Sequence, residues 1–180
     1  MLNEFSIDPG IALTARCIVA LLFASAVVHK LRSPAVFVST LENYRLVPPT
    51  LAPPAGWAIM ALEAGVAAAL ALGYRTAAFV AVGLLALYTG AIVINLIRGR
   101  RDIDCGCSGP AMRQTLSSWL VWRNLGMICL ASLATLPVTA RSLNALDAFS
   151  TIGALAAFFL IYSAANRLSA TASRFVGQGQ

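Results

Sequence analysis

Two cysteines separated by one glycine are the residues of this chain with the clearest capacity for chemistry. Cys105 and Cys107 lie in the segment Asp-Ile-Asp-Cys-Gly-Cys-Ser-Gly, directly after the basic run Arg-Gly-Arg-Arg. A disulfide needs Cα atoms about 4.4–6.8 Å apart, and two residues with one neighbour between them span about 6.6 Å when extended. Bridging therefore requires a bend, which Gly106 permits. Because strained disulfides tend toward oxidising potentials, the pair predicts thiol–disulfide electron transfer.

Other interpretations of this pair stay open at the level of sequence. The thiols could be two ligands of a soft metal such as Cu(I) or Zn, with His29, the sole histidine of the chain, as a third. They could also brace a loop or be unreactive. The remaining cysteines, Cys17 and Cys129, lie inside apolar segments, and we interpret them as packing residues.

The composition indicates a membrane protein. Of the 180 residues, 59% are hydrophobic and 11% are charged, and the mean hydropathy is +0.79. A soluble domain carries roughly a quarter charged residues, so only lipid can cover this much apolar surface. The net charge of +6 does not indicate nucleic-acid binding, because the basic residues are scattered among short connecting segments without a continuous stripe.

Five apolar segments predict the fold class, an all-α integral membrane protein. They cover about residues 11–30, 55–73, 76–97, 117–138 and 148–166. We expect a single multi-pass domain over residues 1–180, a compact bundle with a four-helix core plus one helix. The cysteine pair then lies in a loop at 98–116. The loop from Tyr44 to Pro54 is not expected to be helical through its prolines.

The distribution of basic residues predicts the orientation of the bundle. With five crossings, the first loop, the third loop and the C-terminal tail share one side, which carries nine basic residues: Lys30, Arg32, Arg45, Arg98, Arg100, Arg101, Arg113, Arg167 and Arg174. The other side carries Arg75 and Arg141. The positive-inside rule therefore predicts a periplasmic N-terminus and a cytoplasmic C-terminus. It also predicts that the cysteine loop lies at the cytoplasmic boundary.

Ionisable residues within the apolar segments are the other candidate site residues, because a charge in lipid is costly without a partner. Glu63 lies about eight residues into the second span and Arg123 about six residues into the fourth, counted from the side of the cysteine loop. At 1.5 Å per residue both are roughly 9–12 Å deep, which predicts a Glu63–Arg123 ion pair. His29 closes the first span on that side and is a candidate carrier of protons released by thiol oxidation.

Short motifs around these residues extend over most of the chain. They are His-Lys-Leu-Arg-x-Pro at 29–34, Tyr-Arg-Leu-Val-Pro at 44–48, Glu63, Asn-Leu-Ile-Arg-Gly at 95–99, Cys-Gly-Cys-Ser-Gly at 105–109, and Arg113 through Asn124. This succession, over about residues 10–130, resembles the MauE branch of the DoxX-like membrane proteins. Many members have Phe where this chain has Ser108, a difference that should not touch the thiol chemistry.

The resemblance implies an inner-membrane factor for maturation of methylamine dehydrogenase. The small subunit of that enzyme is rich in disulfides and carries a tryptophan-derived quinone. MauE-like proteins act with MauD, a thioredoxin-like partner outside the cytoplasmic membrane, so Cys105 and Cys107 would exchange with that partner. A quinone or another thiol protein would be the final electron partner. Because MauD works outside, a cytoplasmic cysteine loop implies a carrier that passes electrons across the bilayer.

Two other functions remain as alternatives. One is a non-enzymatic membrane scaffold or export helper that binds the small subunit and its partner. The other is a small-molecule or metal transporter, which would need polar groups along a path through the whole membrane. The outer half of the predicted bundle offers little beyond Arg16.

Overall fold

The fold is a bundle of α-helices. The computed structural model describes residues 6–101, 103 and 116–177, so Cys105 and Cys107 lie outside the described residues. The helices are α1 (Pro9–Arg32), α2 (Pro34–Tyr44), α3 (Ala52–Ala71), α4 (Thr76–Ile97), α5 (Ser118–Leu133) and α6 (Ala145–Gly177), and a 3-10 turn at Pro49–Leu51 precedes α3. Within these ranges the only β interaction is an isolated bridge between Ile7 and Val138. The predicted all-α class is confirmed.

Four helices close into a ring, with a fifth outside it. Helix α1 packs on α3, α3 on α4, α4 on α5 and α5 on α1, while α6 packs against α1. Alanines fill much of the core between these helices, and Ala81 and Ala131 are fully buried beside Leu70. Small side chains let helix backbones approach closely where lipid supplies no hydrophobic driving force between helices. The predicted four-helix core plus one is therefore present.

The helix lengths agree with a multi-pass membrane protein. Four segments are long and apolar enough to cross a bilayer, namely Pro9–Arg32, Pro49–Ala71, Thr76–Ile97 and Ala145–Ser169. Helix α5 has 16 residues, or about 24 Å, and is shorter than the span predicted at 117–138. Helix α5 nevertheless runs between the same two ends of the bundle as its neighbours. Just before α5, Leu116 N donates a hydrogen bond to the Arg101 carbonyl oxygen, and just after it the Thr135 carbonyl oxygen accepts one from the Arg75 side chain.

The connection between α1 and α3 differs from the sequence-based expectation. Helix α2 was not predicted, although Phe37, Thr40 and Tyr44 form a buried stripe at helical spacing. Helix α3 begins at Ala52, three residues before the predicted start, and takes two prolines into its first turn. Proline is tolerated there because the first N–H groups of a helix have no intrahelical acceptor.

The two ends of the bundle carry different connections. We call the end formed by Arg32, Ala52, Ile97 and Ser118 the cysteine end, because the segment with the cysteine pair joins α4 to α5 there. The opposite end is the amino end, where α1 begins. The cysteine end therefore also includes α2 and the turn that follows it.

A charged clamp fixes the start of α6 to the start of α1 at the amino end. Arg141 Nη2 lies 2.9 Å from Asp8 Oδ1 and 2.8 Å from Asp147 Oδ1. Asp8 also caps α1, since its Oδ1 accepts a hydrogen bond from Gly10 N at 2.8 Å. A Cβ atom at Gly10 would lie 2.9 Å from the Asp147 carboxylate, so a larger residue there would displace that side chain from the clamp.

We expect the clamp to open in acid. Hydrogen bonds from Arg141 lower the pKa of Asp8 below its ordinary value of 3.8. A carboxyl whose folded pKa is lowered contributes stability above its ordinary pKa and loses it as the pH falls through the folded value. Protection of the amides at residues 145–149 should therefore decrease severalfold below pH 3.8, as measured by hydrogen–deuterium exchange relative to intrinsic rates.

The variant Arg141→Gln should show this low protection already at neutral pH, because it leaves two carboxylates without their shared cation. Arg98→Gln is the matched control, since it removes an equal charge at the cysteine end. Unchanged protection in Arg141→Gln would show that the clamp does not hold α6.

Candidate functional site

A buried ion pair lies within the bundle near the cysteine end. Lys30, in the last turn of α1, and Glu63, on α3, are 5% and 1% exposed. The Lys30 ammonium donates a hydrogen bond to Glu63 Oε1, and the Tyr88 hydroxyl on α4 donates to the same oxygen at 2.6 Å. The ammonium also lies 4.6 Å from the ring centroid of Phe37 on α2, a favourable cation–π distance. One charged contact thus joins four helices.

The predicted Glu63–Arg123 pair is wrong. Lys30 is the ionic partner of Glu63, while Arg123 Nη1 donates to Asn166 Oδ1 on α6 at 3.3 Å. Because α3 begins at Ala52, Glu63 lies eleven residues into its helix and Arg123 five residues into α5. The equal depths predicted from the sequence were counted from helix starts that differ from the observed ones.

Both residues nevertheless line one cavity, which we call the polar cavity. Its volume is about 230 Å³ and its polar lining residues are Ser25, His29, Lys30, Glu63, Tyr88, Arg123, Asn124, Tyr162, Ser163 and Asn166. His29 is exposed there in the last turn of α1. The predicted site residues His29, Glu63 and Arg123 are therefore brought together around one space.

One carboxylate oxygen in this region has no hydrogen-bond donor among the residues that the structure describes. Glu63 Oε2 is buried and accepts no hydrogen bond from the described part of the chain. A buried polar atom without a partner costs about 1–3 kcal/mol, and a polar cavity of about 230 Å³ has room for several waters at roughly 30 Å³ each. The site can thus hold water beside a carboxylate and move protons between them.

A second, apolar cavity lies on the other side of the Lys30–Glu63 pair. Its volume is about 450 Å³, and it is formed by α2, the turn after it, α3 and α4. We call it the apolar cavity. Lys30 and Tyr88 line both cavities, so their side chains form the wall between them. Glu63 lines only the polar one.

Both flanks of the cysteine segment pack beside the apolar cavity. Leu116 N donates to the carbonyl oxygens of Arg101 and Ile103, each at 3.1 Å, so the chain leaves and re-enters the bundle at one place. Leu116 and Ile103 pack in a cluster with Tyr44, which also lines the apolar cavity. Arg100 Nη1 lies 3.5 Å from the Tyr44 carbonyl oxygen. The roles of Cys105 and Cys107, and the metal-binding alternative, stay predictions.

Several residues of the site were missed from the sequence. Lys30 was read as an interfacial charge, and Tyr88 and Asn166 were not considered because their spans carry no charge. The polar side chains of Tyr88 and Asn166 could have indicated these roles, because a phenol or an amide in an otherwise apolar span needs a hydrogen-bond partner.

We expect the two charges of the Lys30–Glu63 pair to be interdependent. Lys30→Met should lower the free energy of unfolding by about 3–5 kcal/mol, because it leaves a buried carboxylate without its cation. Lys30→Met combined with Glu63→Gln should recover most of the loss, since neither member of the pair is left as a buried charge without its counter-charge and the amide oxygen can still accept from Tyr88. Unfolding in mixed detergent micelles measures the coupling.

The matched control for this cycle is Glu42→Gln, which neutralises an exposed carboxylate on α2. It should change the unfolding free energy little and show no coupling to Lys30→Met. Equal effects for Glu42→Gln and Glu63→Gln would contradict the importance of the buried pair.

The bundle and its sites lie within a region that matches known proteins. Residues 9–137 match the family model described as methylamine utilisation protein MauE. A relative named methylamine utilization protein MauE, from Paracoccus denitrificans, is 35% identical over 130 residues, covering 71% of this chain and 70% of the relative. The protein of the same name from Methylorubrum extorquens is 37% identical over 129 residues, 71% of this chain and 69% of the relative.

The similarity also extends into α6. The protein named methylamine utilization protein MauE from Methylophilus methylotrophus is 34% identical over 163 residues, covering 88% of this chain and 86% of the relative. No solved structure matches this chain. The family match runs from the start of α1 to just beyond α5 and so contains the whole four-helix ring with the buried pair. This multi-pass membrane protein therefore belongs to the MauE family and takes part in methylamine utilisation.

Proposed function

We propose that this protein supports maturation of the small subunit of methylamine dehydrogenase by thiol–disulfide electron transfer through Cys105 and Cys107. The observation that carries the proposal is the position of the flanking residues. Arg101, Ile103 and Leu116 join at the cysteine end. Ile103 and Leu116 pack against Tyr44, which lines the apolar cavity together with Lys30 and Tyr88. A reactive pair attached there shares its end of the bundle with the cavity that Lys30 and Tyr88 line.

We propose that electrons flow from the small subunit, through its thioredoxin-like partner, to this chain. Bridging a disulfide-rich subunit removes electrons from its thiols, and a thioredoxin-like partner such as MauD collects them. A partner thiolate attacks the Cys105–Cys107 disulfide, forming a mixed disulfide and releasing one cysteine of the pair as a thiolate. The second partner thiolate then attacks the mixed disulfide, which leaves the partner bridged and the pair reduced. Two electrons have moved to this chain.

The other candidate residues assist this exchange without touching the sulfurs of the partner. Arg100 and Arg101 favour the thiolate form of the pair, while Asp102 and Asp104 oppose them. Oxidation of two thiols releases two protons, for which His29 and Glu63 on the polar cavity are acceptors. Arg123 is a positioning residue, because it ties α5 to α6 across that cavity.

The orientation is part of the proposal, with the N-terminus periplasmic, the C-terminus cytoplasmic and the cysteine loop at the cytoplasmic boundary. Lys30 is neutralised inside the bundle by Glu63, so it no longer counts as a loop charge. Eight of the nine basic residues remain on that side against Arg75 and Arg141 on the other. A mixed disulfide with a partner outside then requires a bundle that lets the thiol pair communicate across the membrane, taking electrons on one side and delivering them on the other.

We expect the double variant Cys105→Ser/Cys107→Ser to abolish formation of fully bridged small subunit, because no sulfur remains to take part in exchange. Mass spectrometry of the alkylated subunit counts its free thiols. The matched control is Cys17→Ser/Cys129→Ser, which removes the same number of thiols from α1 and α5 and should leave the bridges complete. A fully bridged subunit in the Cys105→Ser/Cys107→Ser strain would support the non-enzymatic scaffold instead.

The orientation predicts how an impermeant maleimide labels intact cells. In a chain that lacks Cys17 and Cys129, the reduced pair should react only after permeabilisation, because it faces the cytoplasm. A cysteine placed at exposed Ser142, in the loop before α6 at the amino end, should react in intact cells when Cys105 and Cys107 are serine. Rapid labelling of the pair from outside would overturn the orientation.

A further inference from the structure

We infer that the apolar cavity binds the ring of a membrane quinone, which accepts the electrons of the cysteine pair. This inference rests on the proposed function, for which a two-electron acceptor is required. The cavity has a volume of about 450 Å³, within the range of about 300–1,000 Å³ that is usual for small-molecule sites. Its lining is almost entirely apolar, as expected for a ligand that resides in lipid.

The cavity opens toward the lipid-facing surface of the bundle. Leu87 and Ile94, on α4, line it and are 60% and 41% exposed, and Leu46, in the turn after α2, is 40% exposed. Gly90 lies between the two α4 residues and is also exposed. A hydrophobic molecule can therefore enter sideways from the bilayer and leave its tail in lipid.

The polar groups at the inner wall fit a neutral carbonyl better than an anion. An ammonium has three N–H donors, and Lys30 gives one to Glu63, so it can also donate to a ligand at the wall. Its charge is already balanced by the Glu63 carboxylate, which disfavours a second negative group. The aromatic rings of Phe37, Tyr44 and Tyr88 line the same space and offer faces for a flat ring.

The cavity shares a wall residue with the flanks of the cysteine segment. Tyr44 lines the cavity and packs against Leu116 and Ile103, while its carbonyl oxygen accepts from Arg100. The electron donor proposed above is thus attached at the same end of the bundle as the acceptor site. In the overall step two S–H bonds break and one S–S bond forms. The quinone takes up the two electrons and two protons and becomes a quinol.

The test uses the full chain in lipid nanodiscs and a photoreactive decyl-benzoquinone. Gly90→Leu should raise the half-saturating concentration for labelling about tenfold, because the new side chain fills space that the ring occupies. A Cβ at Gly90 meets no atom within 4 Å, so the new side chain starts in open space. Gly83→Leu, two turns earlier on α4 at an equally open position outside the cavity, is the matched control and should bind like the wild type.

Labelled peptides should come from α2, the turn after it, and α4. Equal saturation for the Gly90→Leu and Gly83→Leu variants would overturn the inference, as would competition by decanoic acid as strong as competition by unlabelled decyl-benzoquinone. The latter result would mean that the cavity holds an alkyl chain only.

A second measurement separates this inference from the proposed function. Cys105→Ser/Cys107→Ser should still bind the quinone, since binding needs no sulfur. The reduced wild-type protein should convert one quinone to quinol per cysteine pair, and Gly90→Leu should slow this conversion about tenfold. Binding without reduction by the wild type would overturn the acceptor role. Absence of binding would overturn the site itself, while the bridge count of the dehydrogenase subunit still decides the proposed function.

Discussion

The ion pair between Lys30 and Glu63 is the constraint on which the arrangement of this bundle depends. Two charges removed from water require each other, because the desolvation of either one alone costs several kcal/mol. The Tyr88 hydroxyl and the Phe37 ring add a hydrogen bond and a cation–π contact to the pair. These four side chains come from α1, α2, α3 and α4. The pair therefore fixes the relative height of helices whose apolar surfaces would otherwise allow them to slide.

The charged clamp at the amino end has a different physical character. The side chains of Arg141 and Asp8 are 39% and 42% exposed, so solvent and salt screen their attraction. The clamp positions the start of α6 and contributes little to which helices pack against each other within the bundle. At the cysteine end, by contrast, replacing either member of the buried pair alone leaves the other charge unpaired. The interaction that most restricts the helix positions therefore lies toward the end of the bundle to which the segment with Cys105 and Cys107 is attached.

The sequence predicted the helical class and the ring of apolar helices because these follow from composition and segment length. It did not predict the partner of Glu63, because depth was counted from helix ends whose positions depend on α2 and on the prolines before α3. Lys30 was also hidden by its place next to other basic residues, since a long side chain at a helix end can turn inward as well as outward. Cavities arise from packing, so neither of them was visible in the sequence.

The shared wall between the cavities gives the proposed chemistry a physical basis. Reduction of a quinone consumes protons as well as electrons, and an apolar cavity cannot supply protons by itself. Lys30 and Tyr88 face that cavity and both donate to Glu63, which lines the polar cavity together with His29. A proton donated at the apolar side can therefore be replaced from the polar side through the carboxylate. The Lys30–Glu63 pair aligns the helices and also connects the two cavities. The helix arrangement and the supply of protons to the quinone therefore depend on the same two residues.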